Sequence, residues 1–191
     1  MTGPVPADPI RLRFETANYV LRTMEHEDAE RDWGDWMANP ATAGLLNASP
    51  RALSVEARRT YIKRFDGRSA YLWGIFRKSS DVLVGVWSIY VNNVRKEYLL
   101  NVLIGPQDER SHGALTETRD IIYRYFFDDL GLKAGNCTVL ARNTYMVERN
   151  KRRGWTVERT SLKPSTTGSA LVEIIHFRLT RDAWRRVDGL D

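Results

Sequence analysis

Val102-Leu-Ile-Gly-Pro-Gln-Asp-Glu-Arg110-Ser-His-Gly113-Ala-Leu-Thr-Glu117 is the stretch from which the fold can be read. An apolar run ends at Ile104, a short polar turn follows, and a helix begins at about Gly113. The start of a helix leaves several backbone N–H groups unpaired and carries partial positive charge, so such a turn can cradle a phosphate. Gly113 lets backbone approach a ligand with no Cβ in the way, while Arg110 and His112 add donors and charge. Alone, Arg-x-x-Gly is a weak signal, because any strand-to-helix turn uses such residues.

Upstream, Ala70 to Arg77, Val82 to Val91 and Glu97 to Ile104 are rich in β-branched and aromatic residues and read as three strands. Ser79-Ser80-Asp81 and Asn92-Asn93 form the turns between them. Nearer the N-terminus, Ile10 to Phe14 and Tyr19 to Arg22 alternate with period two, as a strand pair or one bent strand. Glu27 and Asp28 open a helix carrying Trp33, Trp36 and Met37, which Asn39-Pro40 is expected to stop. After a loop, Ser54 caps a second helix. Downstream, the pattern predicts a helix over 113–130 closed by Gly131 and a strand from Cys137 to Ala141. A basic helix from Thr144 to Arg153 ends at Gly154, and a hairpin follows, Trp155 to Ser161 with Ala170 to Leu179. Strands, two helices, three strands, helix, strand, helix and two strands make a mixed α/β or α+β domain.

Composition narrows the class. The 191 residues fit one domain, and 42% apolar with 28% charged residues is ordinary for a globular chain. No run is long enough to span a membrane. Met1 to Pro9 is expected to be a short flexible leader. One cysteine, Cys137, excludes an internal disulfide and a cysteine-built metal site, and the histidines lack ligand spacing; a cytoplasmic location and no metal are expected. The net charge of +5 points to anionic partners, among them phosphate-bearing small molecules, with no nucleic-acid motif present. A mildly basic solvated surface is the plain alternative.

The quoted segment resembles the acetyl-CoA pyrophosphate loop of the GNAT superfamily, patterned Arg/Gln-x-x-Gly-x-Gly/Ala. Arg110 and Gly113 match, Thr116-Glu117 resembles the Thr-Glu often found there, and Leu115 departs where Gly or Ala is expected. Glu15-Thr-x-x-Tyr-Val-Leu-Arg22 with Glu27-Asp28-Ala29 resembles the opening of the branch that includes ribosomal-protein alanine acetyltransferases. Tyr71-Leu-Trp-Gly-Ile75 and Leu83-Val-Gly85 resemble its second and third strands. Asn143 with Gly154-Trp155 resembles its Asn-helix-Gly-Phe signature, and Trp184 stands where an aromatic is common.

The resemblance implies a single domain over 10–191, with a mostly antiparallel sheet splayed between its fourth and fifth strands and flanked by helices. Acetyl-CoA would be the co-substrate. Backbone of Val102, Leu103 and Ile104 would bond the pantetheine arm like an added strand. Amides of Arg110, Ser111, His112, Gly113, Ala114, Leu115 and Thr116 would hold the pyrophosphate, and Asn143 would contact the arm. Arg149, in a basic run, is either a CoA-phosphate ligand or part of a solvated face. An amine would attack the thioester directly, so the protein positions reactants and stabilises the oxyanion.

Glu97 is the candidate base, acting through water. Asn150 stands where the family often has its general-acid tyrosine, which leaves Tyr145 as the nearby candidate. Trp33, Trp36, Trp73 and Trp87 either line an acceptor pocket or pack the core. Acceptors consistent with this reading are a small amine (an amino sugar, a nucleotide sugar or an antibiotic) or a protein N-terminus. Nucleic acid and membrane are not expected as partners, and a homodimer stays open. A non-catalytic CoA-binding or interaction module of the same fold is the rival.

Overall fold

A computed structural model of the chain describes residues 9–106 and 113–188. Eight strands form one sheet: β1 (Arg13–Glu15), β2 (Tyr19–Thr23), β3 (Ala70–Arg77), β4 (Leu83–Asn92), β5 (Glu97–Ile104), β6 (Ala134–Leu140), β7 (Thr156–Pro164) and β8 (Leu171–Thr180). Their order is β1-β2-β3-β4-β5-β6-β8-β7, and β5–β6 is the parallel pair in an otherwise antiparallel sheet. The strands that the resemblance numbers fourth and fifth are β5 and β6. Five α-helices accompany the sheet: α1 (Pro40–Leu45), α2 (Val55–Ile62), α3 (Ala114–Arg124), α4 (Thr144–Arg152) and α5 (Arg181–Asp188).

Period-two alternation in β3 builds two cores. Tyr71, Trp73 and Ile75 join a cluster with Phe126, Phe127 and Trp184, whereas Leu72 and Phe76 pack on the other face with Trp33, Trp36 and Phe65. The 113–130 pattern appears as α3 followed by a π-helical turn, Tyr125–Asp129, which puts Phe126 and Phe127 both fully inside. Gly131, at φ 64°, ends it in the left-handed conformation expected there.

Several expectations need correction. The helix from Glu27 is a 3-10 turn, His26–Glu30, because Asp28 turns inward to bond the Glu25 amide, Arg22 and Arg31. Pro40 does not stop a helix; it starts α1. Asn39 accepts the Ala41 amide at 2.9 Å, and proline is well suited to the first turn, where its missing N–H costs nothing. β6 begins three residues before Cys137, at Ala134, and α5 with its buried Trp184 was not foreseen. Residues 1–8 of the expected leader lie outside the described residues.

Candidate active site

β5 is paired with β4 along its whole length, but with β6 only at Glu97–Ala134, Tyr98–Gly135 and Leu99–Asn136. At this closed end Tyr98 is fully buried against Gly135, where an added Cβ would lie 2.5 Å from the tyrosine ring. Beyond it the strands separate. The gap opens into a cleft lined by Leu100 to Ile104 of β5 and by Cys137, Thr138 and Val139 of β6. Backbone groups on these facing edges do not pair across the gap among the described residues. On one side the walls are α3 and α4; on the other is α1, through Thr42, Leu45 and Leu46.

α1 is held over this mouth by distant segments. Arg142 donates to the Gly44 carbonyl at 2.5 Å, Asn47 donates to Pro164 O at 3.1 Å, and the Thr166 amide donates to Asn47 Oδ1 at 3.1 Å. The turn between β7 and β8 therefore rests on the loop after α1.

At the start of α3, Gly113 sits at φ 86°, a left-handed conformation that L side chains resist. Among the described residues an added Cβ there would meet only Glu117 Oε1, at 3.9 Å, so the left-handed backbone is the visible demand for glycine. Ala114 is buried, Thr116 is exposed, and Leu115 is half-buried, lining the cleft while packing on the main core. Arg149 reaches from α4 to α3, donating to Thr116 Oγ1 at 2.9 Å. Burial and the neighbouring Arg119 charge lower its pKa. Arg110, Ser111 and His112 lie outside the described residues.

Asn143 lines the cleft and also caps α4, its side-chain oxygen accepting the Met146 amide at 3.3 Å. Tyr145, two residues on, lines the cleft with 62% of its surface exposed. Asn150 is buried and donates to Cys137 Sγ at 3.4 Å. Burial pushes the Cys137 thiol up to about 12, so this sulfur is no ready nucleophile.

Glu97 is not brought to the cleft. It borders a separate polar hollow with Arg95, Asn136 and Arg178, and its bond from Arg178 holds its carboxyl below the ordinary range. No aspartate or glutamate lines the cleft among the described residues. Of the four tryptophans singled out, Trp87 lines the cleft, its Nε1 donating to Thr118 at 2.9 Å; Trp33, Trp36 and Trp73 are core. His176 bonds Ser161 at 2.8 Å, away from the cleft.

Arg119 was missed by sequence reasoning. It is 4% exposed, lines the cleft, and its Nη1 has no hydrogen-bond partner among the described residues. A signal was present: Leu115, Arg119 and Tyr123 share one helical stripe, and an arginine inside an otherwise apolar stripe is unusual.

The site suits CoA on this chain's own features: two adjacent strands that part after three paired residues, a glycine-started helix of eleven residues, and a buried Arg119 Nη1 with no hydrogen-bond partner among the described residues. Among the described residues no cluster of His, Cys, Asp or Glu could hold a metal ion, and no helix is long and apolar enough to cross a membrane.

The family model described as "Acetyltransferase (GNAT) domain" matches residues 18–156. The chain belongs to the GNAT acetyltransferase family. Solved structures share the fold at low identity. A ribosomal-protein-S5-alanine acetyltransferase from Vibrio fischeri is 15% identical with TM-score 0.76, covering 91% of this chain and 98% of its own. A spermidine N-acetyltransferase from Vibrio cholerae, in complex with CoA and spermine, is 15% identical with TM-score 0.72, covering 87% and 97%. A GNAT-family acetyltransferase from Bacillus anthracis is 14% identical with TM-score 0.73, covering 90% and 99%. No curated protein sequence gives a significant match.

Proposed function

We propose that the protein is an N-acetyltransferase that moves an acetyl group from acetyl-CoA to an amine, within one domain over residues 10–191. The observation that carries this is the parting of β5 from β6 after three paired residues, beside the start of α3. Bound acetyl-CoA supplies an activated thioester that a neutral amine can attack without a covalent enzyme intermediate. The chain's part is to bind and orient. The edge of β5 from Leu100 to Leu103, which does not pair with β6 among the described residues, would offer main-chain partners to an extended arm, and the first amides of α3 would face its phosphates. Asn143 and Tyr145 border that arm's path. Asn101 and Thr138 are the polar side chains flanking the gap near its closed end.

The lack of carboxylates along the cleft among the described residues constrains the acceptor. A polyamine needs anions to replace its water, and this cleft offers arginines and apolar walls. A small amine with an uncharged or acidic body, such as an amino sugar or nucleotide sugar, or an uncharged protein N-terminus, fits better than spermidine, the substrate of one structural neighbour. With no aspartate, glutamate or histidine lining the cleft among the described residues, the amine is expected to arrive neutral, so the rate should rise with pH along the acceptor's own titration.

The test is thiol release from acetyl-CoA with a panel of amines at pH 6 to 9, alongside calorimetry with CoA. Turnover with an uncharged or acidic amine, and none with spermidine, supports the proposal. Absence of CoA binding sinks it. CoA binding with no thiol release from any amine would instead assign the rival, a CoA-binding module, which the carboxylate-free cleft also suits.

A further inference from the structure

Two arginines, Arg119 of α3 and Arg149 of α4, line the same cleft, and the charge of the first is felt by the second. Arg119 donates from Nε and Nη2 to a single oxygen of Asp120, at 3.0 and 2.6 Å, and lies 5.7 Å over the Tyr123 ring. Its Nη1 is buried and has no partner among the described residues. Arg149 comes from the opposite helix and bonds Thr116 in the first turn of α3. Both line the cleft, and the acid in contact with either is Asp120, which turns 46% of its side chain to solvent. The gap therefore carries excess positive charge, to which the start of α3 adds its own field. A buried donor left unmade costs free energy until something accepts from it. Like charges brought together in a low-dielectric gap repel, and an anion between them relieves both costs. A carbonyl oxygen would satisfy the hydrogen bond and leave the repulsion; a phosphate satisfies both and matches the planar fork of arginine.

We propose that Arg119 and Arg149 grip the diphosphate of bound CoA from two helices, with Arg119 Nη1 donating the bond that no described residue accepts. This rests on the CoA reading above and extends it to a residue outside the loop 110–116. The grip supplies charge where Leu115 replaces the small residue expected in that loop. Arg119 is a positioning residue: fixing the diphosphate sets how far the arm reaches toward the closed end of the cleft.

Calorimetry with CoA, dephospho-CoA and pantetheine, on wild type and Arg119→Met, tests this. The variant should bind CoA and dephospho-CoA about 10- to 100-fold more weakly, the usual range for one charged hydrogen bond, with pantetheine unchanged. Its unliganded melting temperature should hold or rise, since a buried Nη1 donor with no hydrogen-bond partner among the described residues has gone along with a partly exposed ion pair. Inorganic diphosphate should raise the melting temperature of wild type and not of the variant. Equal losses for pantetheine, a loss confined to CoA over dephospho-CoA, or unchanged affinities would overturn the proposal. If Arg119→Met does not fold, Arg149→Gln takes its place against the same ligands. Stabilisation by inorganic diphosphate that needs Arg119, in a protein blind to all three CoA compounds, would keep the anion site and reject the CoA reading.

Discussion

Arg178 of β8 donates to Glu97 of β5 at 2.8 Å, across the intervening β6, and Asn136 of β6 bonds both partners at 3.2 and 3.3 Å. The trio ties three strands together where the cleft is shut, so the carboxylate at the start of β5 serves as a stitch. Already committed to a cation, it is a poor proton acceptor at neutral pH.

Glu97→Gln should therefore give a pH–rate curve parallel to that of wild type, with a lowered melting temperature from the weakened stitch. A fall of about 10²-fold at neutral pH, recovering at high pH, would restore Glu97 as the base.

Gly113 and Leu115 should separate conformation from side chain at the phosphate turn. Gly113→Ala places a Cβ clear of the described residues but at φ 86°, costing about 1–2 kcal/mol or re-aiming the first amides of α3. Calorimetry should show CoA affinity lowered by roughly 10-fold, on the scale of one such strain. Leu115→Ala should leave CoA affinity within a few-fold while lowering stability by roughly 1–2 kcal/mol of lost apolar burial. A large loss of affinity in a folded Leu115→Ala protein would mean the leucine side chain shapes the pocket.

Gly135→Ala should be among the more damaging single-methyl changes in the molecule. The new Cβ would meet Tyr98 Cζ at 2.5 Å and its hydroxyl at 2.6 Å, and the ring has packed aromatics behind it. Urea melts should show a loss of about 1–3 kcal/mol or more. A neutral result would mean that β5 and β6 can part further without cost.

Asp66 gives a pH test. Burial alone would raise its pKa, but the amides of Ala70, Arg68 and Ser69 and the Ser69 hydroxyl bring it down to about 2. A carboxyl depressed in the folded state stabilises the fold above its unfolded value, about 3.9, and that contribution is lost as pH falls through the folded one. Asp66→Asn should be the less stable protein at neutral pH, and the two stability curves should converge between about pH 4 and pH 2. A constant gap would show that charge is not the source.

The elements most legible in the sequence were those whose side chains carry their own period. Tyr71, Trp73 and Ile75 alternate with Leu72 and Phe76 because both faces of β3 are covered, and Ser54 accepts the Ala57 amide as a cap should. Asn39-Pro40 was ambiguous by its chemistry: the pair that ends one helix is equally suited to begin another. The site was legible where it is backbone, at β5 and at Gly113, and illegible where it depends on meetings across the chain. Glu97 and Arg178 stand 81 residues apart, and nothing local says that they pair. Arg119 and Arg149, on different helices, come to line one cleft only in the folded chain.

The break in the sheet also has a bearing on how long each molecule survives. Two leaves, β1–β5 and β6–β8, are joined across the middle by three rungs, and a cofactor arm bonded along β5 would act as a temporary further strand. A ligand present at a hundred times its Kd adds about 2.7 kcal/mol to the folded state. On the CoA reading, starvation for CoA would loosen the joint between the leaves and expose the chain to proteolysis, so its abundance in a cell would follow the supply of the compound it consumes.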